Sequence, residues 1–213
     1  MKARWIATIF VVASVSLAAQ TPTPSTQSVA GDIGFSYTLP ADWEVVDLST
    51  SLSAAQQQAQ QKAENEDVKR GVSCLQIVLN AHHGSPGSTI VAMALPTACV
   101  GAEPAEKDLP GIAIAASQSI QQYFDVGEPQ LAAYALGSHS VRIARAKGNP
   151  KGHPEISYTV ETVCSILKKG AVCWMALAAD DAALATFEHG AVILDNEAPT
   201  TLVPAEVFTK KAS

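Results

Sequence analysis

The sequence is poor in positive charge: 14 Lys and Arg residues stand against 20 Asp and Glu residues, which gives a formal net charge of −6. A surface of this sign repels nucleic acid and anionic lipid, so neither is an expected partner. Beyond its first 20 residues the chain also has no apolar run of roughly 20 residues, the length that a membrane-spanning helix requires. We therefore expect no stable membrane anchor.

Two catalytic patterns are missing as well. The chain has no G-x-S-x-G pentapeptide, which carries the nucleophile of α/β-hydrolases. It has no H-x-E-x-H pattern and no His-rich tract that would gather metal ligands. On these grounds we predict that the protein is not an enzyme and holds neither a metal nor a cofactor.

What the chain does have at its start is an export pattern. Two basic residues precede the apolar run 5–15, and small residues follow this run up to Ala19. This order is typical of a cleavable signal peptide, so we predict a signal peptide over residues 1–19 and a secreted or periplasmic localisation. Residues 20–30 are largely polar, include two prolines and predict a flexible leader.

The rest of the chain is long enough for one domain with its own core, which we place at 31–205, with a C-terminal tail at 206–213. Alternating apolar residues and turn signals predict strands and hairpins over 33–39, 43–46, 73–81, 88–95, 131–136, 140–146 and 158–178. Helical spacing predicts helices over 51–70, stopped by Gly71, over 109–124, and from an N-cap at Asp180. The predicted fold class is α+β, a mostly antiparallel sheet with about three helices packed on it.

The four cysteines form an even set in a chain with an export signal, where thiols tend to oxidise. A two-residue loop at Lys168 and Lys169 would place Cys164 directly opposite Cys173, where cross-strand side chains approach closely. Cys74 and Cys99 would then pair by elimination. Four buried free thiols are the alternative.

The phrase GFSYTLPADWEVVD has a strand that ends in Leu-Pro and is followed shortly by a Trp that begins the next strand. In this it resembles the PsbP-like fold family, which includes extrinsic photosystem proteins, Ran-binding Mog proteins and small bacterial envelope proteins. The residues that carry this fold motif are Gly34, Phe35, Leu39, Pro40 and Trp43. The resemblance covers 33–194 and implies a PsbP-like fold. It implies less about function, because the family's members bind different partners. No residue here matches a metal ligand of the photosystem members.

The loop His82-His83-Gly84-Ser85-Pro86-Gly87 offers a competing hypothesis, since HGSPG after an apolar strand is similar to the oxyanion loop of hydrolases. The same residues also make an ordinary strand connection. His82, His83, His139 and His153 could suggest a metal, but adjacent histidines in a strand point apart, and exposed loop positions are the default. Trp43 and Trp174 are predicted to pack in the core rather than line a ligand cleft.

Together these features predict a non-catalytic, exported binding or accessory domain whose partner is an envelope protein or a small ligand. Two alternatives remain open. One is a small serine hydrolase that uses the His83-Gly84 loop. The other is a carrier of small apolar ligands, with a pocket between the sheet and a helix.

Overall fold

The structure, a computed structural model, describes residues 26–46, 57, 61, 66–84, 87–101, 103–202 and 207–208. The predicted signal peptide, residues 20–25 of the predicted leader and most of the predicted helix over 51–70 lie outside the described residues. Within the described ranges, no helix is both long and apolar enough to span a bilayer.

The described residues form antiparallel strands in two sheets. The strands are β1 (Thr26–Gly31), β2 (Phe35–Pro40), β3 (Glu44–Val45), β4 (Gln76–His83), β5 (Ser88–Pro96), β6 (Phe124–Val126), β7 (Gln130–Leu136), β8 (His139–Pro150), β9 (Tyr158–Leu167), β10 (Gly170–Ala178) and β11 (Ala191–Leu194). The smaller sheet has the order β1-β2-β11. The larger has the order β3-β4-β5-β10-β9-β8-β6, with β7 also paired to β8.

Helices connect and cover these sheets. Those whose bounds lie within the described residues are α1 (Glu66–Cys74), α2 (Thr97–Val100), a 3₁₀ turn (Glu106–Asp108), α3 (Leu109–Gln118) and α4 (Asp181–His189). The Asp180 side chain accepts a 2.8 Å hydrogen bond from the Ala183 amide, which makes Asp180 the predicted N-cap of α4. The α+β class with a mostly antiparallel sheet is therefore confirmed.

The central hairpin β9–β10 is buried on both of its faces. Strands that are covered on both faces tend to carry nearly continuous apolar runs, because neither face contacts water, and β10 does so. Strand β9 also buries polar residues among its apolar ones: Thr159, Glu161, Thr162 and Ser165. One face packs against the smaller sheet and α4. There the rings of Trp174 and Phe35 lie 5.4 Å apart, and the Tyr37 hydroxyl donates a 2.7 Å hydrogen bond to the Phe187 carbonyl.

The opposite face of the large sheet carries a smaller core under α3. Leu109 and Ala113 of α3 pack there on Ala144, Cys164 and Cys173. The helix lies over β8 and β9 and only touches β10, so the neighbouring part of this face is covered incompletely.

The predicted cysteine register is confirmed: Cys164 and Cys173 are direct cross-strand partners, with their Cα atoms 4.1 Å apart. Cys74 and Cys99 also lie at disulfide distance, 5.6 Å between Cα atoms, and no described cysteine is free. Cys74 does not open a strand, however. Helix α1 continues through Gly71 to Cys74, so the predicted helix end at Gly71 is wrong.

Other expectations about the elements were wrong. The predicted leader cannot include 26–30, because Thr26–Gly31 pairs with β2. The predicted helix over 109–124 ends at Gln118, since the chain turns there and enters β6 at Phe124. Strand β11 was not predicted, because its apolar run of four residues is too short to distinguish from the end of α4. In the predicted tail, Phe208 packs against the larger core.

Gly190 provides a test of the larger core. A Cβ at this buried residue would overlap the ring and hydroxyl of Tyr37, which the bond to Phe187 holds in place. We expect Gly190→Ala to lower the free energy of unfolding by about 1–3 kcal/mol. The matched Gly111→Ala, where a Cβ meets open space in α3, should raise it by roughly 0.5–1 kcal/mol. Denaturant unfolding of both variants checks this, and equal effects would contradict it.

The disulfides give a second test. Alkylation of the denatured, unreduced protein should label no cysteine, and reduction should expose all four to the reagent. Replacing Cys74 and Cys99 together by Ser is expected to cost about 2–4 kcal/mol of unfolding free energy, because the bond limits the unfolded chain. Mass spectrometry counts the alkylated cysteines, and denaturant unfolding measures the loss of stability. Four alkylated cysteines without reductant would refute the pairing.

Candidate functional site

A cavity of about 530 Å³ lies between α3 and the incompletely covered part of the large sheet. Its floor comes from two cross-strand pairs of β5 and β10: Met93 opposite Cys173, and Leu95 opposite Ala171. Residues that pair directly across two strands project on the same side of a sheet, so these four form one apolar surface.

The wall of the cavity is one stripe of α3 and of the turn after it. Ile112, Ala115, Ala116 and Ser119 line it, and their spacing of three and four residues places them on one side of a helix. Because two of these are alanines, the helix stands beside the sheet without filling the space between them. Ala115 is exposed at the opening, while Ile112 and Ala116 are half-buried.

The rim includes Leu75, Glu103, Pro104 and Asp108. The Asp108 carboxylate accepts a 3.1 Å hydrogen bond from the Ala105 amide and so holds the turn that leads into α3. Glu103 and Asp108 are exposed. Among the described residues that line the cavity, these two carboxylates are the only charged groups.

The size and lining of this cavity suit binding. Ligand pockets are typically about 300–1,000 Å³ in volume, mostly apolar, and carry a few polar groups that orient the ligand. Two apolar residues of the helix predicted over 109–124, Ile112 and Ala116, line it. Ala115 and Ser119 also line the cavity and were not predicted to do so. The available signal was a helical stripe of small residues next to a strand with alternating apolar residues.

The residues of the fold motif lie elsewhere, in or beside the larger core. Phe35, Leu39 and Trp43 are buried, and Pro40 ends β2. Trp174 is also fully buried, so the expectation that both tryptophans pack in the core is confirmed.

The histidines do not come together. His82 and His83 lie in β4 and form exposed pairs, 3.2 Å from Glu44 and Asp42 respectively. The His83 ring also stacks on Trp43, with 5.6 Å between ring centroids. His153 contacts Glu155 on the surface. In the part of the chain that the structure describes, no group of His, Cys, Asp and Glu has a metal-binding arrangement.

His139 corrects the prediction of exposed loop histidines, because its side chain is only 11% exposed. Its Nε2 lies 3.7 Å from an Asp195 carboxylate oxygen and 3.5 Å from one of Glu197. The two acids belong to the turn after β11, which was not recognised in the sequence. Asp195 also accepts a hydrogen bond from the Lys168 amide, and Glu197 from Ser138. Through these bonds the turn after β11 connects the β7–β8 turn, at Ser138, with the β9–β10 turn, at Lys168.

A second charged cluster is buried between the large sheet and α4. Glu161 is inaccessible to solvent, and one of its oxygens accepts a 2.5 Å hydrogen bond from Arg145, which also binds Glu188 of α4. The Arg145 guanidinium lies 4.4 Å from the ring centroid of Phe208. Burial raises the pKa of Glu161 to about 7, although the nearby Arg145 lowers it. The sequence signal for this cluster was Glu161 itself, the single charged residue of β9.

Comparison with known proteins identifies a similarity of structure and not of sequence. No protein-family model matches the chain, and no curated protein matches it. Among solved structures, it is similar to the solution structure of cyanobacterial PsbP (CyanoP) from Synechocystis sp. PCC 6803. The TM-score is 0.47 and the sequence identity 9%, over 81% of this chain and 90% of the other. At this level of similarity we take no function from it.

The buried Glu161 predicts a pH dependence. Its pKa is about 7 in the folded protein, against an ordinary value of 4.5, so folding favours its protonated form. The resulting stabilisation is fully present below about pH 4.5 and is lost as the pH rises through about 7. From about pH 5 to about pH 8 we expect this group to lower the free energy of unfolding by on the order of 2–3 kcal/mol.

Glu161→Gln should remove this part of the pH dependence, because the amide resembles the protonated acid and does not titrate. Denaturant unfolding at a series of pH values measures the effect. Glu106→Gln is the control, since it removes the same charge from an exposed turn and should keep the original slope. An unchanged slope in Glu161→Gln would show that another group titrates.

Proposed function

We propose that this protein is a non-catalytic, exported binding domain and that its ligand is a small apolar molecule held between α3 and the large sheet. The cavity of about 530 Å³ is the observation that carries the proposal. Of the two partners expected from the sequence, a small ligand fits this cavity better than an envelope protein does, because its volume and mostly apolar lining match those of small-molecule pockets.

The composition of the cavity supports storage or transport of a ligand rather than its conversion. Its floor and wall are made mostly of apolar side chains, including Met93 and Ile112. Met adapts its shape to different neighbours, and burial of apolar surface stabilises a complex by roughly 25 cal/mol per Å². The two carboxylates, Glu103 and Asp108, lie at the rim and not on the floor.

The hydrolase alternative places its chemistry at a different site. His83 has an acidic neighbour in Asp42, but the two form an exposed pair, and neither residue lines the cavity. Ser85, the serine of this loop, lies outside the described residues. Labelling of a single serine by a fluorophosphonate probe would contradict the non-catalytic proposal.

The cavity can be tested by filling its opening. Ala115 is exposed and lines the cavity, so Ala115→Phe should project a ring into it with little effect on the core. We expect this variant to bind a neutral apolar probe, 1-dodecanol, at least about tenfold more weakly, a loss of roughly 1.4 kcal/mol. Isothermal titration calorimetry of the domain checks the affinity.

Gln118→Phe is the matched control. Gln118 belongs to the same helix, is exposed and does not line the cavity, so the change places the same ring on α3 away from the ligand. Its affinity for the probe should equal that of the unsubstituted protein. If neither variant changes the binding, or the unsubstituted protein binds no probe, the cavity is not the ligand site.

A further inference from the structure

The polar groups of the cavity differ in one respect from those of a typical lipid-binding pocket: the side chains offer acceptors and no cation. Glu103 and Asp108 supply carboxylate oxygens at the rim. The third polar side chain, Ser119, donates its own proton to the Ala116 carbonyl at 2.6 Å, so toward the cavity its oxygen can only accept. Among the described lining residues there is no Lys, Arg or His.

An anionic ligand such as a fatty acid would find no cationic side chain for its carboxylate among the described lining residues. Like charges repel, and a carboxylate taken from water without a donor loses hydration that nothing replaces. A ligand that carries a positive charge and N–H donors is favoured instead, because the two carboxylates attract its charge and the lining oxygens can accept its hydrogen bonds. The formal net charge of −6 also favours the approach of cations.

The lining extends along the length of α3, from Asp108 to Ser119. Asp108 stands just before the helix and Ser119 just after it, and at a rise of 1.5 Å per residue they are about 16 Å apart. Between them run the apolar residues Ile112, Ala115 and Ala116, opposite the Met93 and Leu95 side of the floor. A linear apolar chain fits along this stripe, with its polar end at an acidic rim.

We propose that the occupant of the cavity is a cationic amphiphile: an apolar chain that ends in an ammonium group, the chain lying along α3 and the ammonium at Glu103 and Asp108. This inference rests on the proposed binding function and adds the charge of the ligand to it.

The test compares three probes with the same twelve-carbon chain, dodecylammonium, 1-dodecanol and dodecanoate, by isothermal titration calorimetry. The two ions are used below their micellar concentrations and the alcohol below its solubility limit in water. Near pH 7 the amine is protonated and the acid is ionised. We expect dodecylammonium to bind about tenfold more tightly than dodecanoate, with dodecanol between them, because two exposed carboxylates act on charges of opposite sign. This ratio should fall when the salt is raised from about 0.1 M to about 1 M.

The double variant Glu103→Gln/Asp108→Asn removes both charges, and the amide that replaces the Asp108 carboxylate keeps an oxygen for the Ala105 amide. It should weaken dodecylammonium binding by about three- to tenfold and leave dodecanol unchanged. Glu106→Gln, an exposed residue of the same turn that does not line the cavity, should leave all three affinities unchanged.

The two proposals fail in different ways. If all three probes bind equally and Ala115→Phe weakens all of them, the cavity binds ligands but the preference for a cation is wrong. If dodecanoate binds most tightly, the preference is likewise refuted. If none of the probes binds to the unsubstituted protein, the proposed function itself fails and this inference fails with it.

Discussion

The structure depends on the burial of one hairpin, β9–β10, on both of its faces. Nearly every residue of its two strands is buried, so a layer of other elements covers each side. The smaller sheet and α4 provide one layer, in which Trp174 packs against Phe35. The link between Cys164 and Cys173 then holds the two strands in the register that this burial requires.

The second layer is incomplete, and the candidate site results from this. Helix α3 is only ten residues long and lies over β8 and β9, so it leaves part of β10 and β5 uncovered. Where a larger side chain in the stripe would close the gap, the helix has Ala115 and Ala116. The cavity is thus a property of the helix's length and of two small side chains, while the core on the opposite face is unaffected.

The charged residues follow the same division between the two faces. Glu161 and Arg145 lie on the covered face, where burial makes a carboxylate difficult to ionise and a shared guanidinium partly offsets the cost. Glu103 and Asp108 lie at the open rim, where water solvates them and their charge can act on a ligand. Buried charge therefore affects stability here, and exposed charge bears on the proposed recognition of a ligand.

The sequence by itself determined the features that depend on neighbouring residues. The β9–β10 hairpin and its cysteine register follow from a two-residue turn between apolar runs, and the start of α4 follows from the capping side chain of Asp180. Only the tertiary structure decided the features that depend on residues far apart in the chain. Strand β11 is too short to be recognised from its sequence, and its pairing with β2 defines it. His139 is buried because the turn after β11 packs against it. The cavity likewise exists only where α3 stops covering β5 and β10, since a volume between two elements depends on how they pack and not on the pattern of either one.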